Sequence, residues 1–218
     1  MSFYARKRTY IITLLLIVTG FVLLSIFVFY FPDSPLDREF SDEVQEHHNE
    51  FMDGLMRAIS WFGYMPWSAA AVIGTAVAFF IFRYKKEGLF ILLTMASGLV
   101  SSGLKILFNR PRPTEDLVRI IEKAKHQSFP SGHVVFYVTF FGMLFLIMRH
   151  HKRFTRILRL PVMVLCIFLI FTVPLSRIYL GAHWFTDVTA GFFAGLFCLA
   201  ILGYFYLFKK TPVEPQPN

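Results

Sequence analysis

The sequence predicts an all-α fold, a bundle of six transmembrane helices, and three observations lead to this prediction. Of the 218 residues, 56% are hydrophobic and only 17% are charged, whereas soluble domains have about 45–50% and about 25%. Six apolar stretches approach the roughly 20 residues that a helix needs to cross a bilayer. The alternating polar and apolar pattern of a membrane β-barrel is absent from them. This composition excludes a disordered chain, and two cysteines exclude a disulfide-rich scaffold.

The six predicted spans cover residues 10–31, 66–82, 88–108, 134–148, 160–175 and 188–208. The fourth and fifth are short, so we expect their helices to extend into the neighbouring polar motifs. The first span resembles a signal peptide, but its apolar run is too long, and Phe31-Pro32-Asp33 lacks a small-residue cleavage site. We therefore interpret the first span as a retained helix. Residues 1–210 are expected to form one domain, followed by a short disordered tail at 211–218.

The distribution of Lys and Arg predicts the orientation of the spans. Thirteen of the 22 basic residues flank the spans on one side, before span one, between spans two and three, between spans four and five, and after span six. Basic residues accumulate on the cytoplasmic side of membrane proteins. Both termini are therefore expected to be cytoplasmic.

The outer segments differ from one another in charge. Residues 32–65 are acidic with interleaved apolar residues, which favours an outer amphipathic helix between spans one and two; a plain solvated loop is the alternative. Residues 109–132 and 176–187 instead carry cations that the positive-inside tendency would not place outside. This exception is the first indication of a function.

Three cations in these segments suit an anion site. Lys105 lies near the outer end of the apolar third span, where an unpaired charge is costly. Arg112 and Arg177 carry planar donor groups that match phosphate oxygens. The alternative is that these side chains only extend to the headgroup level. The convergence of three cations with two histidines favours the anion site.

The sequence Pro130-Ser131-Gly132-His133 precedes the fourth span. Proline, serine and glycine at the start of a helix expose backbone N–H groups that can hold an anion, and the Ser131 hydroxyl adds a donor. The alternative is an ordinary N-cap, in which Ser131 bonds to the first turn.

His183 and Asp187 are four residues apart at the start of the sixth span, so a helix or a tight turn would bring their side chains together. A carboxylate that accepts the Nδ1 proton would fix the imidazole tautomer and leave Nε2 free as a nucleophile. The alternatives are a helix cap by Asp187 beside a headgroup histidine, or a zinc pair, for which no third ligand with suitable spacing is present.

Together, these motifs resemble the signature of the type 2 phosphatidic acid phosphatase superfamily, whose soluble relatives include the vanadium-dependent haloperoxidases. That signature is Lys-x6-Arg-Pro, then Pro-Ser-Gly-His, then Ser-Arg-x5-His-x3-Asp. This chain fills every position in order, with Lys105, Arg112-Pro113, residues 130–133, Ser176-Arg177, His183 and Asp187. Arg110-Pro111 does not satisfy the first spacing, so the resemblance selects Arg112.

The resemblance implies a role for each matched residue. Lys105, Arg112 and Arg177 would bind the phosphoryl oxygens, and Ser131 with the backbone N–H of Gly132 would complete this phosphate-binding group.

The remaining matched residues would perform the chemistry. His183 would attack phosphorus and form a phosphohistidine, with Asp187 orienting its ring. His133 would protonate the leaving oxygen and then assist water. Ser176 would have a supporting role. No metal or other cofactor is expected, because the fixed cations would neutralise the developing charge.

The expected function is hydrolysis of a lipid phosphate monoester or diphosphate at the outer membrane face. The candidate substrates are a polyprenyl diphosphate, phosphatidylglycerol phosphate and phosphatidic acid. The alternatives are a lipid phosphotransferase, a lipid A phosphatase and, in a different class, a transporter of anionic headgroups. The expected partners are the phosphorylated lipid and the bilayer, not nucleic acid, and the oligomeric state stays open. A bacterial inner membrane is the expected location, with the site facing the periplasm or exterior.

Overall fold

The computed structural model describes residues 3–208, and within this range the regular secondary structure is entirely helical, without a strand. The predicted tail at 211–218 lies outside the described residues. The helices are α1 Phe3–Tyr30, α2 Pro35–Gln45, α3 Glu50–Ser60, α4 Trp67–Ile81, α5 Lys85–Leu93, α6 Ala96–Phe108, α7 Gly132–His150, α8 Arg156–Tyr179 and α9 Phe185–Phe208, with a 3₁₀ turn at Trp61–Gly63 after α3.

Five segments of the described chain are long and apolar enough to cross a membrane: Arg8–Tyr30, Lys85–Phe108, Gly132–His150, Arg156–Tyr179 and Phe185–Phe208. A sixth is counted when Glu50–Gly63 and Trp67–Ile81 are taken as one span with a 58° bend. The 15 residues of α4 extend about 22 Å, less than the roughly 30 Å of the hydrocarbon core. This explains why the predicted second span needs its neighbour.

The centre of the bundle is α7, whose apolar side chains are largely buried between α8 and α9. Tyr137, Met143 and Ile147 are fully enclosed in this core. In contrast, α1 packs on α9 and leaves most apolar side chains of residues 8–30 exposed on the outside of the bundle, as lipid-facing helices do.

The helices at the short fourth and fifth predicted spans extend into the neighbouring polar motifs, as expected. Helix α7 begins at Gly132, and α8 continues to Tyr179, so that Ser176 and Arg177 lie in its last turn. Helix α6 ends at Phe108, and its C-cap residue Asn109 adopts a left-handed conformation with φ of 44°. As a result, α6, α7, α8 and α9 all present their motif residues at the same end of the bundle.

The segment between α1 and α4 contains α2 and α3, which pack on this same end. The first residue of α2 is Pro35, a favoured position for proline, and the Asn49 side chain caps α3 by accepting a hydrogen bond from the Met52 N–H, 2.9 Å. The buried side chains of α2 are polar, Asp37, Ser41 and Gln45, whereas its apolar Leu36 and Phe40 are exposed. Helix α2 therefore presents its polar face to the protein.

Candidate active site

The three sequence motifs converge on one cavity of about 980 Å³ at this end of the bundle. The predicted site residues that line it are Lys105, Arg112, Gly132, His133, Arg177 and His183. Ser131 and Asp187 are completely buried immediately behind this surface. The loop at 109–131 folds over the helix ends and carries Arg112 into the cavity.

His183 lies in the turn before α9, and Asp187 lies in the first turn of α9. Their Nδ1 and Oδ2 atoms are 3.5 Å apart, which is long for a hydrogen bond. The Ser128 hydroxyl lies beside both groups, because it donates to Asp187 Oδ2 and is 3.4 Å from His183 Nδ1. Asp187 Oδ2 also accepts the Trp184 N–H at 2.9 Å, which fixes the carboxylate against the turn.

The opposite nitrogen of the same ring faces the cations. Arg112 Nη1 lies 3.2 Å from His183 Nε2. The Arg112 guanidinium is held in place by backbone carbonyls of residues 125–127 and 182. Lys105 Nζ donates to the carbonyl of Gln127 at 2.6 Å. Both cations are therefore anchored by neutral carbonyl groups, which leaves their positive charge available to an anion.

The burial of these groups shifts the pKa values of His183 and Arg112. Burial, together with the positive charges of Arg112, Lys105 and Arg177, holds the pKa of His183 well below its usual range. Burial also lowers the pKa of Arg112 to about 10, so its guanidinium stays protonated at neutral pH. The imidazole is thus uncharged at neutral pH, and it lies beside a fixed cation.

Ser131 and His133 face the site from the start of α7. The Ser131 N–H donates to the Asp187 carbonyl at 3.0 Å, but its hydroxyl makes no capping bond and has no hydrogen-bond partner. His133 Nε2 is buried and also lacks a partner. The His133 ring packs edge-on against Tyr64, with centroids 4.6 Å apart. Gly63 contacts the ring so closely that an added Cβ would lie 2.1 Å from His133 Cδ2.

Arg177 is held in the site by an acidic residue of the loop. Its Nη2 donates to Glu122 Oε1 at 2.9 Å, and its Nη1 donates to the Tyr64 hydroxyl at 2.7 Å. The Tyr64 hydroxyl donates in turn to Glu122. Arg177 Nε is buried and has no partner. The guanidinium is therefore fixed through its two terminal nitrogens, and Nε is left for another acceptor.

Sequence reasoning missed four polar residues that complete the site: Asp37, Arg110, Glu122 and Ser128. Arg110 was set aside because its spacing did not fit the signature, yet its Nη1 donates to Asp187 Oδ1 at 2.7 Å. Asp37 is one of eight acidic residues at 32–65, and its position there gives no sign of a role in the site. One sequence signal could have identified Arg110, because Arg110-Pro111 forms a second Arg-Pro pair directly before Arg112-Pro113.

The arrangement suits a reaction at an anion. Three buried polar atoms, Ser131 Oγ, His133 Nε2 and Arg177 Nε, lack partners, although buried polar groups are almost always paired. A phosphate could accept from the serine and arginine donors, while a protonated His133 could donate to an oxygen. Among the described residues, no group of three or more His, Cys, Asp or Glu side chains is placed to hold a metal ion.

The chain is similar in sequence to known proteins. The family model described as the PAP2 superfamily matches residues 86–211. Phosphatidylglycerophosphatase B of Bacillus subtilis (strain 168) is 26% identical over 147 residues, which are 67% of this chain and 71% of that protein.

Two solved structures have a similar fold. The crystal structure of a transmembrane PAP2 type phosphatidylglycerolphosphate phosphatase from Bacillus subtilis superposes with a TM-score of 0.76 at 21% identity, covering 88% of this chain and 94% of that chain. The crystal structure of Aquifex aeolicus LpxE superposes with a TM-score of 0.62 at 25% identity, covering 80% and 96%.

Proposed function

This chain belongs to the PAP2 superfamily and is a lipid phosphate hydrolase of that family, and we propose that it cleaves a lipid phosphate through a phosphohistidine on His183. The observation that carries the proposal is the position of the imidazole. Asp187 lies near Nδ1, Arg112 lies near Nε2, and a cavity with three unpartnered polar atoms lies in front of it.

In the first step, Nε2 of neutral His183 attacks phosphorus, and the bond from phosphorus to the leaving oxygen breaks. Arg112, Lys105 and Arg177 Nε stabilise the negative charge on the phosphoryl oxygens. The Ser131 hydroxyl and the Gly132 N–H, at the N-terminus of α7, provide further donors. Asp187 stabilises the positive charge that develops on the His183 ring.

His133 then completes the exchange of protons. Its protonated Nε2 donates to the leaving oxygen, so that a neutral alcohol departs from a monoester, or a protonated phosphate departs from a diphosphate. The neutral ring next takes a proton from water as the water oxygen attacks the phosphohistidine. The P–N bond breaks, inorganic phosphate leaves, and His183 returns to its neutral form. Tyr64 and Gly63 hold the His133 ring in position for both transfers.

Access from the bilayer supports a lipid substrate. The cavity extends from the cations between α4 and α6, where small or apolar residues line it, including Ala69, Val72, Gly98 and Ser102. Leu99 and Ile106 line the same opening and are largely exposed on the lipid-facing side of α6. A headgroup could therefore reach His183 while its acyl or prenyl chains stay beside the helices.

Among the candidate lipids, we propose phosphatidylglycerol phosphate first, since the similar proteins from Bacillus subtilis carry that substrate in their names. A polyprenyl diphosphate and phosphatidic acid are the next candidates. We further propose that the site faces the exterior or periplasm of a bacterial inner membrane. The excess of Lys and Arg at the other end of the spans supports this orientation, with both termini in the cytoplasm.

The test is phosphate release by purified protein in detergent micelles that contain each of these lipids, or lipid A, in the presence of a metal chelator. We expect H183A to lower kcat by at least about 1,000-fold, because the nucleophile is lost. His47→Ala is the matched control, because His47 is an exposed histidine of the outer segment. Full activity in folded H183A would contradict the proposal.

The covalent step has its own readout. Wild-type protein that is mixed briefly with phosphate-labelled lipid and quenched in base should carry label that acid releases, and H183A should carry none. Label that appears on wild-type protein but resists acid would contradict a phosphohistidine.

A further inference from the structure

A chain of buried charges lies behind the catalytic pair, on the side away from the cavity. Arg110 Nη1 donates to Asp187 Oδ1 at 2.7 Å, and Arg110 Nη2 donates to Asp37 Oδ2 at 2.7 Å. The side chains of Asp37, Arg110 and Asp187 are each at most 2% exposed. The order of charges from α2 to the site is thus negative, positive, negative, and then the His183 ring.

The polar atoms of this chain are satisfied almost completely by protein groups. Arg110 also donates to the Pro32 carbonyl from Nη2 at 2.7 Å and from Nε at 3.2 Å, and to the Thr186 hydroxyl at 2.7 Å. Asp37 Oδ1 accepts the Thr186 N–H at 2.8 Å. Such complete pairing fixes side chains in one geometry, because moving any member would leave a buried charge without a partner.

We propose that Arg110 and Asp37 are positioning residues for this reaction, which hold Asp187 and set the charge that it presents to His183. The inference rests on the proposed function, since it assumes that His183 is the nucleophile. Arg110 engages only Oδ1, which directs Oδ2 toward Ser128 and the His183 ring. The negative charge of Asp37 offsets the positive charge of Arg110. The negative charge of Asp187 therefore still stabilises a positive charge on the imidazole.

Substitutions at the two positions should move the acid limb of the pH profile in opposite directions. D37N removes a negative charge, which disfavours the imidazolium, so the ring is protonated only at lower pH and the acid limb moves to lower pH. R110Q removes a positive charge, so the imidazolium is favoured and the limb moves to higher pH. A variant that only loosened the fold would produce no such opposite pair of shifts.

Other charges also face the ring, and they are the same in all these variants. Each element packed around His183 contributes one of them: Lys105 from α6, Arg112 from the loop, His133 from α7, Arg177 from α8 and Asp187 from α9. Because these groups are unchanged, a difference between the variants reports on Arg110 and Asp37.

The experiment measures kcat, KM and the pH dependence of kcat/KM on phosphatidylglycerol phosphate, or on the panel lipid that wild type hydrolyses fastest. We expect D37N to lower kcat about 10-fold and R110Q about 100-fold, with KM changed less than about 2-fold, because misplacement of a catalytic group slows chemistry more than binding. Arg110→Lys keeps the charge but not the planar donor group. It should retain the wild-type pH limb with an intermediate kcat.

A second ion pair of the same end of the bundle provides the matched control. Asp53 of α3 pairs with Arg119 of the loop, 2.8 Å, without contacting Asp187 or His183. D53N removes one carboxylate from a helix–loop ion pair just as D37N does, and it should leave kcat and the pH limb close to wild type.

The outcome separates this inference from the proposed function. If wild type is active, H183A is inactive, and D37N and R110Q keep the wild-type kcat and pH limb, the positioning role is wrong and the nucleophile stands. If both limbs move in the same direction, the charge argument is wrong. If R110Q does not fold, D37N and R110K decide the question. A shift of the acid limb to lower pH in D37N but not in R110K supports the inference, and the absence of any shift in D37N overturns it.

Discussion

The two sides of the His183 ring are built in opposite ways. On the Nδ1 side, Asp187 accepts hydrogen bonds from Trp184, Ser128 and Arg110, so that its oxygens are fully engaged by the protein. On the Nε2 side, cations line a cavity and buried polar atoms lack partners. The satisfied side fixes the orientation of the ring, and the unsatisfied side leaves donors that a bound anion could engage.

This difference separates orientation from binding. A closed, paired network tolerates little movement, and its members act on the substrate through His183 alone. The open side carries charge that only a ligand can neutralise, so its members should affect both substrate affinity and transition-state charge. Substitutions on the open side should therefore have the larger effects on kcat/KM, and those on the closed side should act mainly on kcat.

The largest effect on the open side is expected at Arg112. R112Q removes the cation that lies 3.2 Å from His183 Nε2, where negative charge develops on the phosphoryl group. We expect kcat/KM to fall about 1,000-fold, with a higher KM and a lower kcat, as for other groups that stabilise charge in the transition state. Steady-state phosphate release from lipid micelles measures both constants.

Arg119→Gln is the control for R112Q, since Arg119 lies in the same loop and its side chain is 40% exposed in an ion pair with Asp53. An R112Q protein that keeps wild-type kcat/KM while remaining folded would remove the basis for an anion site on this side of the ring.

An intermediate effect is expected at Gly63, which packs on His133, the proposed general acid. In G63A the new Cβ would lie 2.1 Å from His133 Cδ2, so the ring must move. We expect kcat to fall about 10-fold to 100-fold with little change in KM, because a displaced proton donor slows departure of the leaving group.

Gly54→Ala is the matched substitution for G63A, since a Cβ at Gly54 meets no heavy atom within 4 Å. It introduces the same methyl group as G63A, but within α3, where alanine is a better helix former than glycine. We therefore expect kcat to stay unchanged in G54A. If G63A also keeps wild-type kcat, the placement of His133 is not important for the rate-limiting step.

The open side was far easier to predict from the sequence than the closed side. Lys105, Arg112, His133, Arg177 and His183 are separated by fixed spacings that a motif captures, and the structure brings them to one cavity. The residue type is informative by itself at Lys105, because an unpaired charge on an apolar helix is costly and often marks a functional site.

The closed side depends on contacts between distant residues that no local pattern reveals. Asp37 and Arg110 are 73 residues apart in the chain. The acidic and apolar residues around Asp37 predict an amphipathic helix without indicating which side chains are buried, and α2 turns Asp37, Ser41 and Gln45 inward and exposes Phe40. An amphipathic pattern shows that a helix has two faces, and only the tertiary structure shows which face is buried.

The smallest effect is expected in the pH profile, and it tests whether the charges of the open side act on the ring itself. Burial and the neighbouring cations hold the pKa of His183 well below its usual range. With the neutral ring as the proposed nucleophile, we expect activity to be lost as the pH falls through that lowered pKa. The acid limb of kcat/KM, which reports on the free enzyme, should therefore lie below about pH 6.5, the ordinary histidine value.

K105Q removes a cation and should move this limb to higher pH, whereas Arg112→Lys keeps the charge and should move it least. A wild-type limb at or above the ordinary value, or a shift of the K105Q limb to lower pH, would mean that the cations do not control the protonation of His183.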